Sequence, residues 1–144
     1  MDEHVYNLQA RILRPMFAGV KIHDMEEFEV TTTSDWWPDA PGGYHTPHVM
    51  LLSAAASCLL VMMFKTSAAL HTQFKDASVD ATGTMGEHDG IWRFDKIQLK
   101  VRVVIEDESY REKVGKAVDM ASKTCPVANS LLTPVILELE IVVG

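Results

Sequence analysis

A run of apolar residues near the middle of the chain constrains the fold more than any other feature. Residues 49–64 contain no charged residue, no glycine and no proline. Leucine, methionine and alanine, which are strong helix formers, fill most of this run. Thr46 is a typical N-cap residue, and Pro47 is tolerated in a first helical turn. The sequence therefore predicts one long helix that extends towards His71, is apolar on nearly every side and has Cys58 at its centre.

A helix that is apolar all round belongs either in a protein core or in a membrane. A spanning helix needs about 20 apolar residues, and this run ends sooner, at Lys65. The sequence has no second hydrophobic segment, and its polar N-terminal residues read as a strand, so we expect no signal peptide. We predict a core helix, covered by a sheet or by a sheet and a second copy of the chain, and no membrane association.

Composition narrows the class of protein. A chain of 144 residues with 47% hydrophobic residues is long enough for one domain, over residues 1–144, with a real core. The formal net charge of -7 argues against nucleic acid or an anionic membrane as a partner. Two cysteines in a chain without an export signal suggest a reducing compartment, and we expect the cytoplasm.

Alternating apolar and polar residues predict strands on both sides of the long helix. These strands cover Tyr6–Ile12, Ala18–His23 and Glu26–Thr33 before the helix, and Ala77–Thr82, Ile97–Ile105 and Leu137–Ile141 after it. An amphipathic helix over residues 107–123 and a short helix after Pro126 separate the last two strands. This order predicts an α+β fold in which a largely antiparallel sheet packs on the long central helix.

Two further expectations follow from this order. Because one sheet cannot cover such an apolar helix, we predict an intertwined homodimer that shares the N-terminal strands, residues 4–33, or the long helices across a two-fold axis. The outward side chains of Lys100 and Arg102 are expected to pair across strands with Glu138 and Glu140.

Trp36 and Trp37 are unusual because they lie in a loop rich in proline, glycine and aspartate, residues 34–44. One interpretation is that they fill the edge of a core or a subunit contact. The other is that they wall an apolar pocket near the start of the long helix.

The two cysteines, Cys58 and Cys125, are 67 residues apart, so no CxxC or short zinc pattern applies. Three interpretations are open: two inert buried thiols, a structural disulfide, or a redox pair in which one thiolate is oxidised and the other resolves it. Cys125 precedes Pro126 at the start of a short helix, where amides and the helix dipole stabilise a thiolate. Local chemistry therefore predicts that Cys125 is the more acidic thiol.

Two segments of the chain resemble the OsmC/Ohr family of osmotically inducible and organic-hydroperoxide-resistance proteins. They are residues 47–58, PHVMLLSAAASC, and residues 125–131, CPVANSL. The family pattern is Asn-Pro-Glu before a Leu/Ala-rich helix with an internal cysteine, and later Cys-Pro-Val-Ser-Asn-Ser-Leu. The second segment is the more specific one. The order of predicted elements also agrees with the family over essentially the whole chain.

The resemblance implies an OsmC-like α+β fold and an intertwined homodimer with active sites at the subunit interface. It implies a stress-response thiol peroxidase that reduces organic hydroperoxides and hydrogen peroxide. Cys58 matches the peroxidatic cysteine and Cys125 the resolving one, which reverses the local acidity ranking. A dithiol reductant, either a lipoylated or a thioredoxin-like protein, would complete the cycle. The alternative is an OsmC-like dimer without peroxidase activity that binds a small apolar ligand.

The chain departs from the family pattern at two positions. Family peroxidases have a glutamate directly after the helix-opening proline, where this chain has His48. They also use an arginine from the N-terminal strands or the following loop, and between Pro15 and Cys58 this chain has none. Arg11 and Arg14 lie earlier, on the first predicted strand. His48 is the candidate substitute, although it lies about 15 Å along the same helix from Cys58.

A third class of function rests on His45 and His48. Together with Cys58 or Asp39 they could form a divalent metal site, although Thr46-Pro47 places the pair across a helix start. The simpler interpretation is a loop or capping role for both histidines, with no metal and no cofactor.

Overall fold

The computed structural model describes residues 2–144. The strands of the described chain are β1 (Gln9–Arg14), β2 (Phe17–Lys21), β3 (Phe28–Val30), β4 (Asp76–His88), β5 (Ile91–Ile105) and β6 (Val135–Val143). The helices are α1 (Pro47–Ala69), α2 (Arg111–Thr124) and α3 (Pro126–Asn129), with one 3₁₀ turn at Glu108–Tyr110. These elements form two compact units, one ending at Leu51 and the other covering Leu52–Gly144. One domain over 1–144 stays a prediction.

The N-terminal unit contains an antiparallel sheet in the order β1-β2-β3. All three strands that alternation predicts are present, but the third is reduced to Phe28–Val30. Phe17, Val20 and Val30 are its buried hydrophobic side chains. The apolar residues around β1 remain exposed within this chain, with Tyr6 and Ile12 among the most exposed.

The C-terminal unit contains a second sheet in the order β4-β5-β6. The alternation predicted for β5 is confirmed, because its odd-numbered residues from Ile97 to Ile105 are all buried. β4 pairs antiparallel with β5, as expected, but β6 pairs parallel with it. This sheet is therefore mixed rather than largely antiparallel. The reason is the crossover through α2 and α3, which returns the chain to the same end of the sheet before β6 begins.

The hydrophobic core of the C-terminal unit joins α1 and α2 to this sheet. Leu59 and Met63 of α1 and Val114 and Val118 of α2 belong to one buried cluster with the inward side chains of β5. Thr66 also bridges the two helices, because its hydroxyl donates a hydrogen bond to the Ala117 carbonyl at 2.7 Å. The predicted packing of a long helix on a sheet is confirmed, and it determines which face of α1 remains outside the core.

Helix α1 begins as the sequence predicts, with Thr46 accepting a hydrogen bond from the Val49 amide at 3.4 Å. Only one face is buried in this chain, whereas Val61 is 68% exposed and Phe64 is 67% exposed. By length and composition alone the helix could cross a membrane, with 22% of its most apolar 18-residue window buried. A single helix of this kind is weak evidence for a membrane span, since core helices have the same composition.

The outer face of the second sheet carries the four charged side chains that were predicted to pair. Lys100 lies opposite Glu138 and Arg102 lies opposite Glu140 in the register of β5 and β6. The Arg102 Nε and Glu140 Oε2 atoms are 3.9 Å apart, which confirms this ion pair. All of these side chains are exposed, so the pairs contribute little to stability.

Candidate active site: two thiols beside an apolar groove

Cys58 lies on the face of α1 that the sheet does not cover. Its side chain is half-buried, directly before the fully packed Leu59. It lines an open groove of about 390 Å³. The other lining residues are small or apolar and come from α1 and α3: Ala54, Ser57, Val61, Met62, Pro126 and Val127. Cys58 is thus reachable from outside the unit while its surroundings remain almost free of polar groups.

Cys125 connects α2 to α3 with an extended backbone, at φ -62 and ψ 114. This conformation is typical of the residue before a proline, because the ring of Pro126 disfavours the helical region there. The Asn129 amide donates to the Cys125 carbonyl at 3.0 Å, and the Asn129 Nδ2 group donates to the Lys123 carbonyl at 2.9 Å. The CPVANS segment therefore folds back on the end of α2, and it holds Cys125 in the interior at 1% exposure.

The pKa of the Cys125 thiol is raised above its ordinary value. Burial raises the pKa of the Cys125 thiol, and a side-chain hydrogen-bond interaction with Cys58 raises that pKa further. The backbone N–H groups of Ala128 and Val127, at the start of α3, act in the opposite direction but do not reverse the outcome. The start of α3 therefore does not lower the pKa of Cys125, because burial outweighs the nearby amides.

This arrangement separates two chemical roles. Both cysteines are free thiols. Cys58 borders the groove, so a reactant can approach its sulfur from outside. Cys125 is buried beside it and remains protonated over a wider range of pH. A neighbouring thiol of this kind can attack an oxidised sulfur after the exposed one has reacted.

His48 lies in the first turn of α1, ten residues before Cys58 and about 15 Å along the helix axis. Its ring stacks on Trp36 with centroids 5.7 Å apart and an interplanar angle of 10°. The Trp37 ring packs edge-on against the Phe17 ring, with centroids 6.2 Å apart. The role of His48 as a donor and that of the tryptophans as a pocket wall both stay predictions.

The two N-terminal arginines are engaged in ion pairs within the first unit. Arg11 donates from Nε and Nη2 to the two carboxylate oxygens of Glu27, both at 2.9 Å. Arg14 donates to Glu29 at 2.6 Å, and its guanidinium lies 3.7 Å from the centroid of the Phe17 ring. The carboxylates account for the raised pKa of each guanidinium.

The described chain contains no ligand set for the metal ion that the third hypothesis requires. Across residues 2–144 there is no group of three or more histidine, cysteine, aspartate or glutamate side chains that could hold a metal ion. The His45 ring instead meets Phe28 edge-on, with centroids 5.2 Å apart. His45 lies in the segment directly before α1, and its carbonyl accepts a hydrogen bond from the Thr31 amide at 3.0 Å.

Sequence reasoning missed the groove residues, although the signal was available. Ala54, Val61 and Met62 stand four residues before, three after and four after Cys58, which is the spacing of neighbours on one helical face. Val127 stands two residues after Cys125 and contributes the opposite wall. The helical spacing would have identified the first set, whereas the contribution of α3 depends on tertiary packing.

The fold and the site together define a class: an α+β protein with a pair of free thiols beside an apolar groove. The OsmC-like protein family model matches residues 40–140, which covers both cysteines. This chain belongs to the OsmC family, and the resemblance that its two motifs carry is confirmed.

Several known proteins are similar to this chain, although their sequence identity to it is low. Protein YmaD of Bacillus subtilis, whose name describes it as uncharacterized, is 25% identical over 105 residues, which are 71% of this chain and 70% of that protein. An OsmC-like protein of Vibrio cholerae has the same fold with a TM-score of 0.84 and 18% identity, over 97% of this chain and 100% of that one. An organic hydroperoxide resistance protein of Elizabethkingia anophelis has a TM-score of 0.76 and 16% identity, over 99% of this chain and 100% of that one.

Proposed function

We propose that this protein is a thiol-dependent peroxidase that reduces organic hydroperoxides through Cys58 and Cys125. The observation that carries the proposal is the groove in which Cys58 lies with Pro126 and Val127, the two residues that follow the buried thiol Cys125. The name of the Elizabethkingia relative, an organic hydroperoxide resistance protein, supports the same chemistry and a role in the stress response.

The cycle balances without a cofactor. The Cys58 thiolate attacks the terminal oxygen of the hydroperoxide, so an S–O bond forms, the O–O bond breaks and the released alkoxide takes a proton to become an alcohol. Cys58 is then a sulfenic acid. The Cys125 sulfur attacks it, forming a disulfide and releasing water. A dithiol reductant, from a lipoylated or thioredoxin-like protein, returns both thiols by exchange.

The groove lining favours a substrate with an apolar organic group. Val61, Met62 and Val127 present hydrocarbon and thioether surface beside Cys58, so an alkyl or aryl hydroperoxide gains burial energy that hydrogen peroxide does not. We propose organic hydroperoxides as the preferred oxidants and hydrogen peroxide as a poorer one.

We also propose that the protein works as an intertwined homodimer in the cytoplasm. Exposed apolar side chains support an additional partner surface: Tyr6 and Ile12 in the N-terminal unit, and Val61 and Phe64 on α1. In the dimer the N-terminal strands, residues 4–33, or the long helices would be shared between copies. Light scattering coupled to gel filtration tests this proposal, and a mass of 16.0 kDa, that of one chain, would contradict it.

A second candidate function remains, because His48 replaces the family glutamate and both N-terminal arginines have carboxylate partners. In this alternative the groove binds a small apolar ligand and neither thiol reacts with peroxide. His48 as an assisting donor belongs to the first proposal, and its substitution by alanine would then slow peroxide reduction.

Peroxide consumption separates the two candidates. The reduced protein is mixed with cumene hydroperoxide and dihydrolipoamide, and the remaining peroxide is followed against a control lacking protein. We expect catalytic loss of cumene hydroperoxide, slower loss of hydrogen peroxide and none with Cys58→Ser. Peroxide loss at the control rate, together with saturable quenching of tryptophan fluorescence by an apolar ligand, would favour the binding protein.

A further inference from the structure

One hydroxyl group lies among the apolar side chains of the groove beside Cys58. It belongs to Ser57, which precedes Cys58 on α1 and lines the same groove. The other lining side chains are hydrocarbon or, in one case, a thioether, which accepts hydrogen bonds only weakly: Ala54, Val61, Met62, Pro126 and Val127. Apart from the Cys58 sulfur, the Ser57 hydroxyl is therefore the only strong hydrogen-bond acceptor among the side chains that line the groove in the described chain.

The proton of the Ser57 hydroxyl already has a partner within α1. Its Oγ atom donates to the Ser53 carbonyl, one turn earlier, at 2.7 Å, and lies 3.4 Å from the Ala54 carbonyl oxygen. A hydroxyl group has one proton and two lone pairs, and no group of the described chain donates to these lone pairs. Ser57 can therefore accept a hydrogen bond from a molecule in the groove while its own proton stays with the helix.

The backbone carbonyls of the opposite wall are already engaged. The Pro126 carbonyl accepts hydrogen bonds from the Ser130 amide at 3.1 Å and from the Ser130 hydroxyl at 2.8 Å. The Val127 carbonyl accepts from the same amide at 3.0 Å. A molecule with an O–H group and an apolar body is thus offered hydrocarbon surface by α3 and an acceptor by Ser57 of α1.

We infer that Ser57 binds the hydroperoxyl group of the substrate and orients its terminal oxygen towards the Cys58 sulfur. The hydroperoxide donates its O–H group to the Ser57 oxygen, and its apolar body lies against the walls of the groove. Because Ser57 and Cys58 are consecutive residues of one helix, the acceptor flanks the nucleophile. The inference rests on the proposed function and adds a substrate-binding residue to it.

This hydrogen bond is compatible with each bond change in the oxidation of Cys58. The O–H bond of a hydroperoxide points sideways from the O–O axis, so an acceptor beside the sulfur leaves the line of attack open. The S–O bond forms, the O–O bond breaks, and its electron pair leaves with the alkoxide, which takes a proton from water to become an alcohol. The terminal oxygen keeps its own proton, so Ser57 accepts the same O–H group before and after the transfer.

The first test compares Ser57→Ala, which removes the acceptor, with Ser57→Thr, which keeps a hydroxyl able to bond to the helix in the same way. Ser53→Ala is the matched control, because Ser53 is exposed on the same helix but does not line the groove. Position 57 is exposed and alanine is a strong helix former, so Ser57→Ala should fold, which circular dichroism verifies.

Two reagents are used on each reduced full-length variant, with modification of Cys58 followed by peptide mass spectrometry. Cumene hydroperoxide carries the O–H group, whereas methyl methanethiosulfonate has neither O–H nor N–H groups. We expect oxidation by the hydroperoxide to be about fivefold slower in Ser57→Ala, the effect of one neutral hydrogen bond, and unchanged in the other two variants. Rates with the thiosulfonate should be equal throughout. Equal oxidation rates, or a parallel loss with both reagents, would overturn the inference.

A second measurement without peroxide separates this inference from the proposed function. Cumyl alcohol, the product of cumene hydroperoxide, carries an O–H group, and isopropylbenzene does not. Each compound is tested for its ability to protect Cys58 from the thiosulfonate. We expect the alcohol to protect wild type at about fivefold lower concentration than Ser57→Ala, and the hydrocarbon to protect both equally. Absent or equal protection by the alcohol would overturn the inference. The expected protection in a protein that consumes no peroxide would refute only the proposed function.

Discussion

The two faces of helix α1 differ sharply although their compositions are similar. One face packs Leu59 and Met63 against the inward side chains of β5 and is closed to solvent. The other carries Cys58, Val61 and Met62 and borders the groove that α3 completes. Apolar residues therefore serve two purposes on one helix. On the first face they stabilise the fold, and on the second they surround a reactive group with a medium of low polarity.

The two cysteines show the same contrast. Cys58 reaches the groove, whereas Cys125 is withdrawn into the core at 1% exposure. Neither environment alone makes a redox site, because an isolated exposed thiol lacks a resolving partner and an isolated buried thiol lacks access. The groove places Cys58 with Pro126 and Val127, the residues that follow Cys125, and this arrangement makes the two cysteines a candidate catalytic pair.

The largest expected effect is on Cys58. Cys58→Ser removes the only thiol among the residues that line the groove in the described chain, so peroxide consumption should fall to the level of a control without protein. Thermal unfolding should change little, because the side chain is half-buried and the substitution is nearly isosteric. The assay is peroxide loss in the presence of dihydrolipoamide. Full activity in a folded Cys58→Ser protein would remove this residue from the mechanism.

Cys125→Ser should separate the two steps of the cycle. The first oxidation of Cys58 can still occur, but the sulfenic acid persists because no second thiol resolves it. We expect a dimedone adduct on Cys58 by mass spectrometry and arrest of catalysis after the first turnover. Wild-type protein under the same treatment should show little adduct. Comparable adduct yields in both proteins would argue that Cys125 is not the resolving residue.

The contrast between the two faces of α1 can be tested with neighbouring methionines. Met63→Ala creates a cavity in the core and should lower the free energy of unfolding by about 2–5 kcal/mol. Met62→Ala is the matched control: Met62 lines the groove and is only partly buried against the core, so the loss should be smaller, while reactivity with bulky hydroperoxides should change. Urea unfolding provides the first quantity and peroxide kinetics the second. Equal destabilisation would mean that the groove face is as well packed as the core face.

The smallest effect concerns alkaline pH. The pKa of Cys125 is raised in the folded protein, so the unfolded chain loses this proton at lower pH than the folded one. The contribution of the Cys125 thiol to stability is fully present below the pKa that this thiol has in the unfolded chain. The free energy of unfolding should therefore decline as pH rises above about 8.5. Urea titrations at pH 7 and 10 should show a steeper decline in wild type than in Cys125→Ser. Parallel declines would contradict the burial argument.

Much of the fold was predictable from local patterns. The alternation of β5 and the N-cap at Thr46 depend on residues that are close together in the sequence, so local patterns reveal them. The direction of β6 was missed because alternation specifies which face a residue occupies and says nothing about strand direction. The helical connection before it was the overlooked signal, since parallel neighbours need a long crossover.

The site was predictable only through the family motifs. Composition left three interpretations of Cys58 and Cys125 open, and the motifs selected one. The start of α3 is visible in the sequence and predicts a lowered pKa for Cys125, whereas the burial that raises this pKa is not visible there. The α3 wall of the groove, formed by Pro126 and Val127, likewise depends on how the segment after α2 folds back.

Peptide mapping after a single equivalent of cumene hydroperoxide tests the central claim most directly. The reduced protein is oxidised, alkylated under denaturing conditions and digested without reductant. A peptide joined through Cys58 and Cys125, with no oxidant-dependent change in the Cys58→Ser variant, is the predicted result. Two alkylated, unlinked cysteine peptides in the wild-type digest would contradict the account.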